Sequence, residues 1–343
     1  MNVFIGLDVS LRSVAMCVLS ADGDLIEETN LDCEVAAISD HIRTKGYSVE
    51  RIGFEAGTMS QALFHGLTAE GFDVVCMESR QVSAAMSAMR NKTDKTDARG
   101  IAQILRAGWY NPVHMKSRES HEVKALLAAR KAILNRCIDL ENEIRGLFKA
   151  FGIRLPSRLS RLRFDEKVRP IIEADDTLAF ALLPMLDVRG ELYDAYRLME
   201  SRVRAVSRKD PVCKLLMTAP GVGPITALSF KAAVDDPTRF KSSRLVGAHF
   251  GLTPRRFQSG EMDNTGRISR AGDRDVRATL YIAANSLLIV SGRPSSLKTW
   301  GLKLIRTKGV RRARIAVARK LAVILHRMWI TNTPFQTEGA RMI

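Results

Sequence analysis

Residues 3–29 read VFIGLDVSLRSVAMCVLSADGDLIEET, and this stretch decides the fold of the first part of the chain. Two apolar runs, Val3 to Leu7 and Val14 to Leu19, are separated by a polar turn. Asp22 and Gly23 then offer a hairpin turn before a third run, Leu25 to Thr29. The pattern predicts three successive antiparallel strands.

Helices and strands alternate after this meander. We expect a helix near Glu34 to Lys45, a strand at Arg51 to Phe54, a helix from Ser60 to Ala69 and a strand at Phe72 to Met77. A meander followed by such alternation fits a mixed sheet covered by helices. Residues 1–112 are therefore predicted to form an α/β domain.

Two stretches in the middle of the chain place apolar residues at alternating steps of three and four, which is the spacing of a coiled-coil seam. The first seam consists of Leu126, Arg130, Ile133, Cys137, Leu140, Ile144, Leu147 and Phe151. The second consists of Leu182, Met185, Arg189, Leu192, Tyr196, Met199, Val203 and Val206. They predict two long helices, antiparallel within the chain or paired with a partner chain; two ordinary amphipathic helices on one core are the alternative. Residues 113–209 are assigned to this helical region, and residues 210–343 to a mainly α C-terminal domain.

The chain is strongly basic. Lys and Arg total 53 against 37 Asp and Glu, which gives a net charge of +16. The stretch between Val276 and Thr337 holds no acidic residue, although it carries many basic ones, among them Arg311, Arg312 and Arg314. A surface of one sign attracts polyanions, so we expect a nucleic acid as partner.

The cysteines and the hydropathy pattern exclude other classes of protein. The five cysteines are far apart and none forms a Cys-x-x-Cys pair, which argues against a disulfide framework and against a structural zinc site. No apolar run reaches the roughly 18 residues of a membrane span. The N-terminal stretch lacks the basic leader of a signal peptide, so we expect a cytoplasmic protein without a membrane partner.

Four acidic residues are candidates for a metal site. Asp8 and Glu55 each end an apolar strand at the same edge of the predicted sheet, and Asp94 and Asp97 share one face of a helix predicted from NKTDKTDARGIA, residues 91–102. Four clustered carboxylates need a cation, and Mg²⁺ prefers such oxygen ligands. Two ions could clamp a phosphodiester. Each acid also has a structural alternative: a strand-end cap for Asp8, a helix-initiating acid for Glu55 and a helix N-cap for Asp94.

A serine in the C-terminal part is a second candidate. Ser259 lies in GLTPRRFQSG, residues 251–260, in a predicted loop that Arg255 and Arg256 enter. A hydroxyl is a poor nucleophile unless a base or a metal activates it, so the local sequence alone favours a plain Ser-Gly turn. Gly221 and Gly223, in APGVGPITA, could present backbone N–H groups to a phosphate at a helix start.

Together these segments resemble one family. The four acids with KTDKTDAR, followed by APGVGPITA, RFKSSRLVGAHFGLTPRRFQSG and GRISRAGDRDVR, are similar to the DEDD-type insertion-sequence transposases. The resemblance implies a RuvC/RNase H-like N-terminal domain whose four acids bind Mg²⁺, or Mn²⁺ in its place. It also implies that Ser259 attacks DNA to form a covalent phosphoserine link, which overrides the turn that the local sequence favours.

The same resemblance implies the partners. Members of the family recombine donor and target DNA, the best studied of them with a structured noncoding guide RNA, the bridge or seeker RNA. The active complex is a homo-oligomer, a dimer or tetramer, in the cytoplasm of a bacterium and associated with its nucleoid. One departure is Gly272-Asp273-Arg274, where the family more often has Gly-Asn or Gly-His.

Three other functions fit parts of the pattern. A junction-resolving nuclease would use the acids to activate water, and a non-catalytic nucleic-acid binder would keep only the fold. Actin-like sugar kinases also begin with a strand that ends in Asp within a three-strand meander. They need a second Gly-rich phosphate loop and an adenosine-binding loop, which we do not find, and the charge of +16 argues against a small-molecule kinase.

Overall fold

The computed structural model describes residues 2–87, 93–259 and 262–337, without the side chains of residues 257–265. The chain forms two compact units, Met1–Lys116 and Ser117–Ile343. Among the described helices, none is both long and apolar enough to cross a membrane.

A five-stranded sheet forms the centre of the first unit. Its strands are β1 (Asn2–Val9), β2 (Ser13–Ser20), β3 (Leu25–Asp32), β4 (Ser48–Glu55) and β5 (Val74–Met77). Their order in space is β3-β2-β1-β4-β5; β2 is antiparallel to β1 and β3, whereas β1, β4 and β5 are parallel. The predicted meander and the two later strands are confirmed.

Helices cover both faces of this sheet. They are α1 (Val35–Thr44), α2 (Ser60–Ala69), α3 (Ser79–Met86) and α4 (Asp94–Ala107). Apolar residues of α1 and α2, such as Ile38 and Leu63, share one core with Leu7 and Phe54 of the sheet. On the opposite face, α4 packs Ala98 and Ala102 against Ala15, Cys17 and Leu19 of β2. The α/β fold predicted for this part is therefore confirmed.

The second unit is mainly helical, as predicted. Its helices are α5 (Arg118–Ala150), α6 (Phe164–Glu173), α7 (Asp176–Lys209), α8 (Pro211–Leu216), α9 (Pro224–Val234), α10 (Arg244–His249), α11 (Arg274–Asn285), α12 (Ser296–Lys308) and α13 (Val310–Thr331). A large apolar core joins α9, α11 and α13 through residues such as Phe230, Leu280 and Leu321.

The two seam helices, α5 and α7, pack antiparallel against each other within the chain. Arg130 contacts Glu200, and Glu141, farther along α5, contacts Arg189, which lies earlier in α7. Of the arrangements that the sequence left open, the intramolecular one is therefore present.

Towards the end of α5, the predicted seam residues no longer lie on the buried face of the helix. Leu147 and Phe151 are exposed, whereas Glu141 and Phe148 are buried. A repeat of 3.5 residues rotates away from the contact face of a helix that has 3.6 residues per turn. Val206 of the second seam is exposed in the same way.

One element of the second unit differs from the prediction. Arg255, Arg256 and Ser259 lie on a strand, β6 (Pro254–Ser259), which forms an antiparallel hairpin with β7 (Met262–Ile268). The predicted loop is therefore wrong. The partner strand reads MDNTGRI and lacks the apolar alternation that identifies a strand in a sequence.

Candidate active site

Asp8 and Glu55 end two neighbouring parallel strands. Leu7 of β1 pairs with Phe54 of β4, so the next residue of each strand stands at the same edge of the sheet. Neighbouring strands lie about 4.8 Å apart. Both acids are half-buried.

Two glycines show which face of the sheet these acids share. A Cβ atom on Gly6 would lie 2.4 Å from the backbone of Ala98 and Ala102 in α4, and one on Gly53 would lie 2.8 Å from Leu105 of the same helix. Side chains two residues apart in a strand point to the same face. Asp8 and Glu55, each two residues after one of these glycines, are therefore on the face that α4 covers.

The first turn of α4 points towards these strand ends. Near its C-terminal end, Arg106 donates a hydrogen bond to the carbonyl of Ala21, beside the β2–β3 turn. Near its start, Ala98 packs against Ala15, which is the β2 partner of Asp8. The helix thus runs opposite to β1, and its N-terminal turn lies at the edge of the sheet where Asp8 and Glu55 stand.

Asp94 and Asp97 occupy this first turn. Thr93 is the N-cap residue: its hydroxyl accepts from the Thr96 N–H at 3.3 Å, and the Thr96 hydroxyl accepts from the Thr93 N–H at 2.8 Å. The N-cap interpretation of Asp94 is therefore wrong. Glu55 does not initiate a helix either, since it ends β4 and α2 begins at Ser60. The reciprocal threonine cap fixes the turn that carries both aspartates.

Three of the four carboxylates have no basic partner among the described residues. Glu55, Asp94 and Asp97 form no ion pair with any basic side chain in the described part of the chain. Within the same residues, no three acidic, histidine or cysteine side chains are close enough to enclose a metal ion. The fold therefore brings the four acids to one edge without closing them into a cage.

This open arrangement fits a magnesium ion. Mg²⁺ is usually held by one or two carboxylates, while waters and substrate phosphates complete its shell. The residues that would hold such an ion are Asp8 and Glu55 at the strand ends and Asp94 and Asp97 in the first turn of α4. A closed protein cage is therefore not needed.

Ser259 lies in the other unit. Its backbone pairs with Met262 at the end of β6, but its side chain lies outside the described residues. Arg255, on the same strand, is exposed and donates a hydrogen bond to the carbonyl of Ser269 at 3.3 Å. Arg256 is exposed as well.

The other predicted contact residues differ in their surroundings. Gly221 has a φ of 82°, and a Cβ atom there would lie 2.4 Å from the carbonyl oxygen of Ala283, so close packing against α11 requires this glycine. Gly223 is the N-cap of α9 and has nothing within 4 Å of a Cβ position. Arg311 and Arg312 are exposed on α13.

Arg314 and Asp273 have structural roles. Arg314 is half-buried, with its guanidinium carbon 5.8 Å from the centre of the Tyr281 ring. Asp273 caps α11 and pairs with Lys124 at 3.0 Å. Burial raises the pKa of Asp273, but the hydrogen bonds from Lys124 and from backbone N–H groups outweigh it and lower the pKa overall. The residue by which Gly272-Asp273-Arg274 departs from the family pattern, Asp273, is thus the N-cap of α11.

The residues that position the acids were not predicted from the sequence. A glycine inside an apolar strand is a signal of close backbone approach, and Gly6 carries it. Thr93 and Thr96 have the spacing of a capping box, but threonine replaces the usual Glu or Gln at the third helical position.

Comparison with known proteins gives consistent matches over much of the chain. A model of the "Transposase IS116/IS110/IS902 family" matches residues 213–299, and a DEDD-type transposase model of the IS110 group matches residues 5–153. The transposase for insertion sequence element IS1111A of Coxiella burnetii is 34% identical over 68% of this chain. The chain spans 66% of that relative's length.

Two further comparisons are more distant. The transposase for insertion sequence element IS1328 of Yersinia enterocolitica is 26% identical over 71% of this chain and 72% of its own length. Among solved structures, T. thermophilus RuvC in complex with a Holliday junction substrate is similar to 33% of this chain and to 100% of its own, with 13% identity and a TM-score of 0.26.

Proposed function

Because the chain belongs to the DEDD-type insertion-sequence transposases of the IS110 group, we propose that it cuts and rejoins DNA as the recombinase of a mobile element. The observation that supports this most directly is the placement of Asp8, Glu55, Asp94 and Asp97 at one edge of the sheet of the first unit. We further place its action in the bacterial cytoplasm, on the nucleoid.

The four carboxylates would hold divalent ions beside the scissile phosphate. Mg²⁺, or Mn²⁺ in its place, would supply charge for the phosphate oxygens and lower the pKa of an attacking hydroxyl. Asp8 and Glu55 would bind these ions from the strand ends, and Asp94 and Asp97 would bind them from the start of α4. Gly6, Thr93 and Thr96 keep those elements in position.

Ser259 is the nucleophile in this proposal. Its Oγ loses a proton and forms a bond to phosphorus, while the bond from phosphorus to one sugar oxygen breaks and that oxygen takes up a proton. The DNA strand is then held as a phosphoserine ester. A free hydroxyl of another strand reverses the exchange and rejoins the DNA, so no ATP is consumed. The resemblance to the family supports the role of Ser259, and the exposed Arg255 and Arg256 beside it favour a bound phosphate.

The partners follow from charge and from family. Exposed basic residues of α12 and α13, Lys303, Arg306, Lys308, Arg311 and Arg312, offer a surface for DNA and for a structured guide RNA. We propose a dimer or tetramer, in which the acids of one subunit meet Ser259 of another. Phe180 on α7, which is 90% exposed, is a candidate contact in this assembly.

Strand cutting tests the role of the acids. The purified protein is incubated with a plasmid that carries the DNA flanking its own gene, with Mg²⁺ or with EDTA. We expect cut and rejoined strands with Mg²⁺ alone, and a loss of at least about 100-fold in Asp8→Asn and Asp97→Asn, since removing one charge-stabilising group typically costs that much. Asp22→Asn is the matched control, because Asp22 is exposed in the β2–β3 turn at the opposite edge of the sheet.

The products distinguish the proposal from its main alternative. Cutting that survives in both acid variants would remove the carboxylates from the mechanism. Cut ends that are free of protein in the wild type would favour a junction-resolving nuclease that uses activated water. Ends that carry covalent protein would favour the serine mechanism.

A further inference from the structure

The turn between β1 and β2 holds an exposed apolar side chain beside an exposed basic one. Leu11 is 70% exposed, and Arg12 next to it is exposed as well. A single exposed leucine on a protein surface needs no explanation. The hydrogen bonds of this turn and its place beside the four acids make the pair of side chains a candidate for binding.

The turn is pinned by its own hydrogen bonds. The Ser10 hydroxyl donates to the Ser13 carbonyl at 2.8 Å, and the Ser13 N–H donates to the Ser10 oxygen at 3.1 Å. The carbonyl of Arg12 accepts from the N–H of Cys33 at 3.0 Å, which ties the turn to the end of β3. Leu11 and Arg12 are therefore presented on a fixed backbone, which lowers the entropy that they lose when a ligand binds.

The turn stands at the edge of the sheet that carries the acids. Only Val9 and Ser10 separate Asp8 from Leu11 in the chain, and Asp8 pairs with Ala15 on the far side of the turn. A nucleic-acid strand whose phosphate reaches Asp8 and Glu55 passes within reach of this turn.

Arg12 has no acidic partner in the described part of the chain, although the edge beside it holds four carboxylates. An exposed, unpaired guanidinium carried on a fixed backbone is suited to a phosphate. Leu11 adds an apolar surface at the same point, which suits the sugar or the face of an unstacked base. A nucleic-acid strand offers a phosphate for Arg12 and, in the adjoining nucleotide, a sugar or base for Leu11.

We propose that the Leu11-Arg12 turn is a DNA contact of the active site: Arg12 binds a backbone phosphate next to the scissile one, and Leu11 packs against the adjoining sugar or base. The inference rests on the proposed function, since it places DNA at the edge of the sheet that carries the acids.

Cross-linking from position 11 tests it. The five native cysteines are all free and buried, and burial raises the pKa of Cys17 to about 11 and that of Cys213 to about 12, so a new surface cysteine can be labelled selectively. In the full chain, Leu11→Cys is labelled with a photo-cross-linker and mixed with a duplex that contains a four-base unpaired bubble, in EDTA. The matched control is Leu25→Cys, because Leu25 is 47% exposed at the opposite edge of the same sheet.

We expect position 11 to cross-link at least about fivefold more DNA than position 25, with the cross-links at or beside the bubble. Equal yields at both positions, or yields at background, would overturn the contact. The cross-linking assay does not require DNA cutting. A negative result here can therefore be distinguished from a loss of the proposed cutting reaction.

A second measurement addresses Arg12. Its replacement in Arg12→Ala should lower the slope of log affinity against log salt by about 0.9, the share of one phosphate, while Arg12→Lys should keep the slope. An unchanged slope in Arg12→Ala would refute the phosphate contact even if position 11 cross-links.

Discussion

At the scale of single residues, the candidate site depends on two glycines as much as on the acids. Gly6 and Gly53 lie beneath α4 at distances that leave no room for a methyl group. They let the helix approach the sheet closely and bring Asp94 and Asp97 to the edge that holds Asp8 and Glu55. The positions of the four acids in the secondary structure could be predicted from the sequence. Asp8 and Glu55 stand at the ends of strands, and Asp94 and Asp97 lie in the first turn of a helix.

Replacement of Gly6 tests this dependence. In Gly6→Ala the new Cβ would lie 2.4 Å from backbone atoms of α4, so the helix must shift. We expect a loss of about 2–3 kcal/mol in the free energy of unfolding and a loss of DNA cutting well beyond what that instability explains. Denaturant unfolding and the plasmid assay measure the two effects.

Gly146→Ala is the matched control. Gly146 lies in α5 with nothing within 4 Å of a Cβ position, and alanine is the better helix former by about 1 kcal/mol. Its unfolding free energy should stay the same or rise. Wild-type stability and cutting in Gly6→Ala would show that α4 does not need this close approach.

At the scale of elements, the antiparallel pair of α5 and α7 is fixed by a buried ion pair. Arg189 is 2% exposed and donates to Glu141 from Nε at 3.1 Å and from Nη2 at 2.5 Å. Its guanidinium also lies against the rings of Phe164 and Tyr193. Such a pair specifies which residues of two helices meet, whereas apolar seams tolerate sliding.

Breaking this pair should be costly. Glu141→Ala leaves the buried guanidinium of Arg189 without its carboxylate, and we expect it to destabilise the second unit by about 3–5 kcal/mol. The comparison is Asp139→Ala, which removes the exposed partner of Arg136 and should cost less than about 1 kcal/mol. Thermal or denaturant unfolding measures both, and similar losses in the two variants would contradict the role given to the buried pair.

The elements also show where sequence patterns fail. Periodicity predicted the meander and the long helices, because apolar spacing follows the face that packs. It placed Arg189 on the second seam but did not predict Glu141 as buried, since a charged residue outside the seam indicates a solvated face until a partner from a distant part of the chain is known. The β6–β7 hairpin was missed for a related reason: its second strand is polar and is identified by pairing alone.

At the scale of the whole molecule, charge is the dominant property. The net charge is +16, and the last two helices carry basic residues without acidic ones. Such a surface binds long polyanions, and its affinity falls steeply with salt. The charge favours a nucleic acid as the partner, as we propose, but it does not separate DNA from RNA.

The RNA that co-purifies with the protein separates them. We expect sequencing of this RNA to find one discrete structured transcript from beside the protein's own gene, retained in a wash of moderate salt. Variants that neutralise exposed charges of α13, Arg311→Ala and Arg312→Ala together, should retain less of it. A random sample of cellular RNA would contradict the proposed guide RNA and leave the DNA reaction to be judged separately.

The covalent link at Ser259 tests the central claim most directly. The protein is incubated with its DNA and Mg²⁺, denatured in SDS and digested with nuclease and protease, and the peptide that contains Ser259 is analysed by mass spectrometry. We expect that peptide to carry a nucleotide on the serine oxygen, in an adduct that is absent in Ser259→Ala, in Asp97→Asn and in EDTA. Recombined DNA from the Ser259→Ala variant, or an adduct on another residue, would contradict the mechanism.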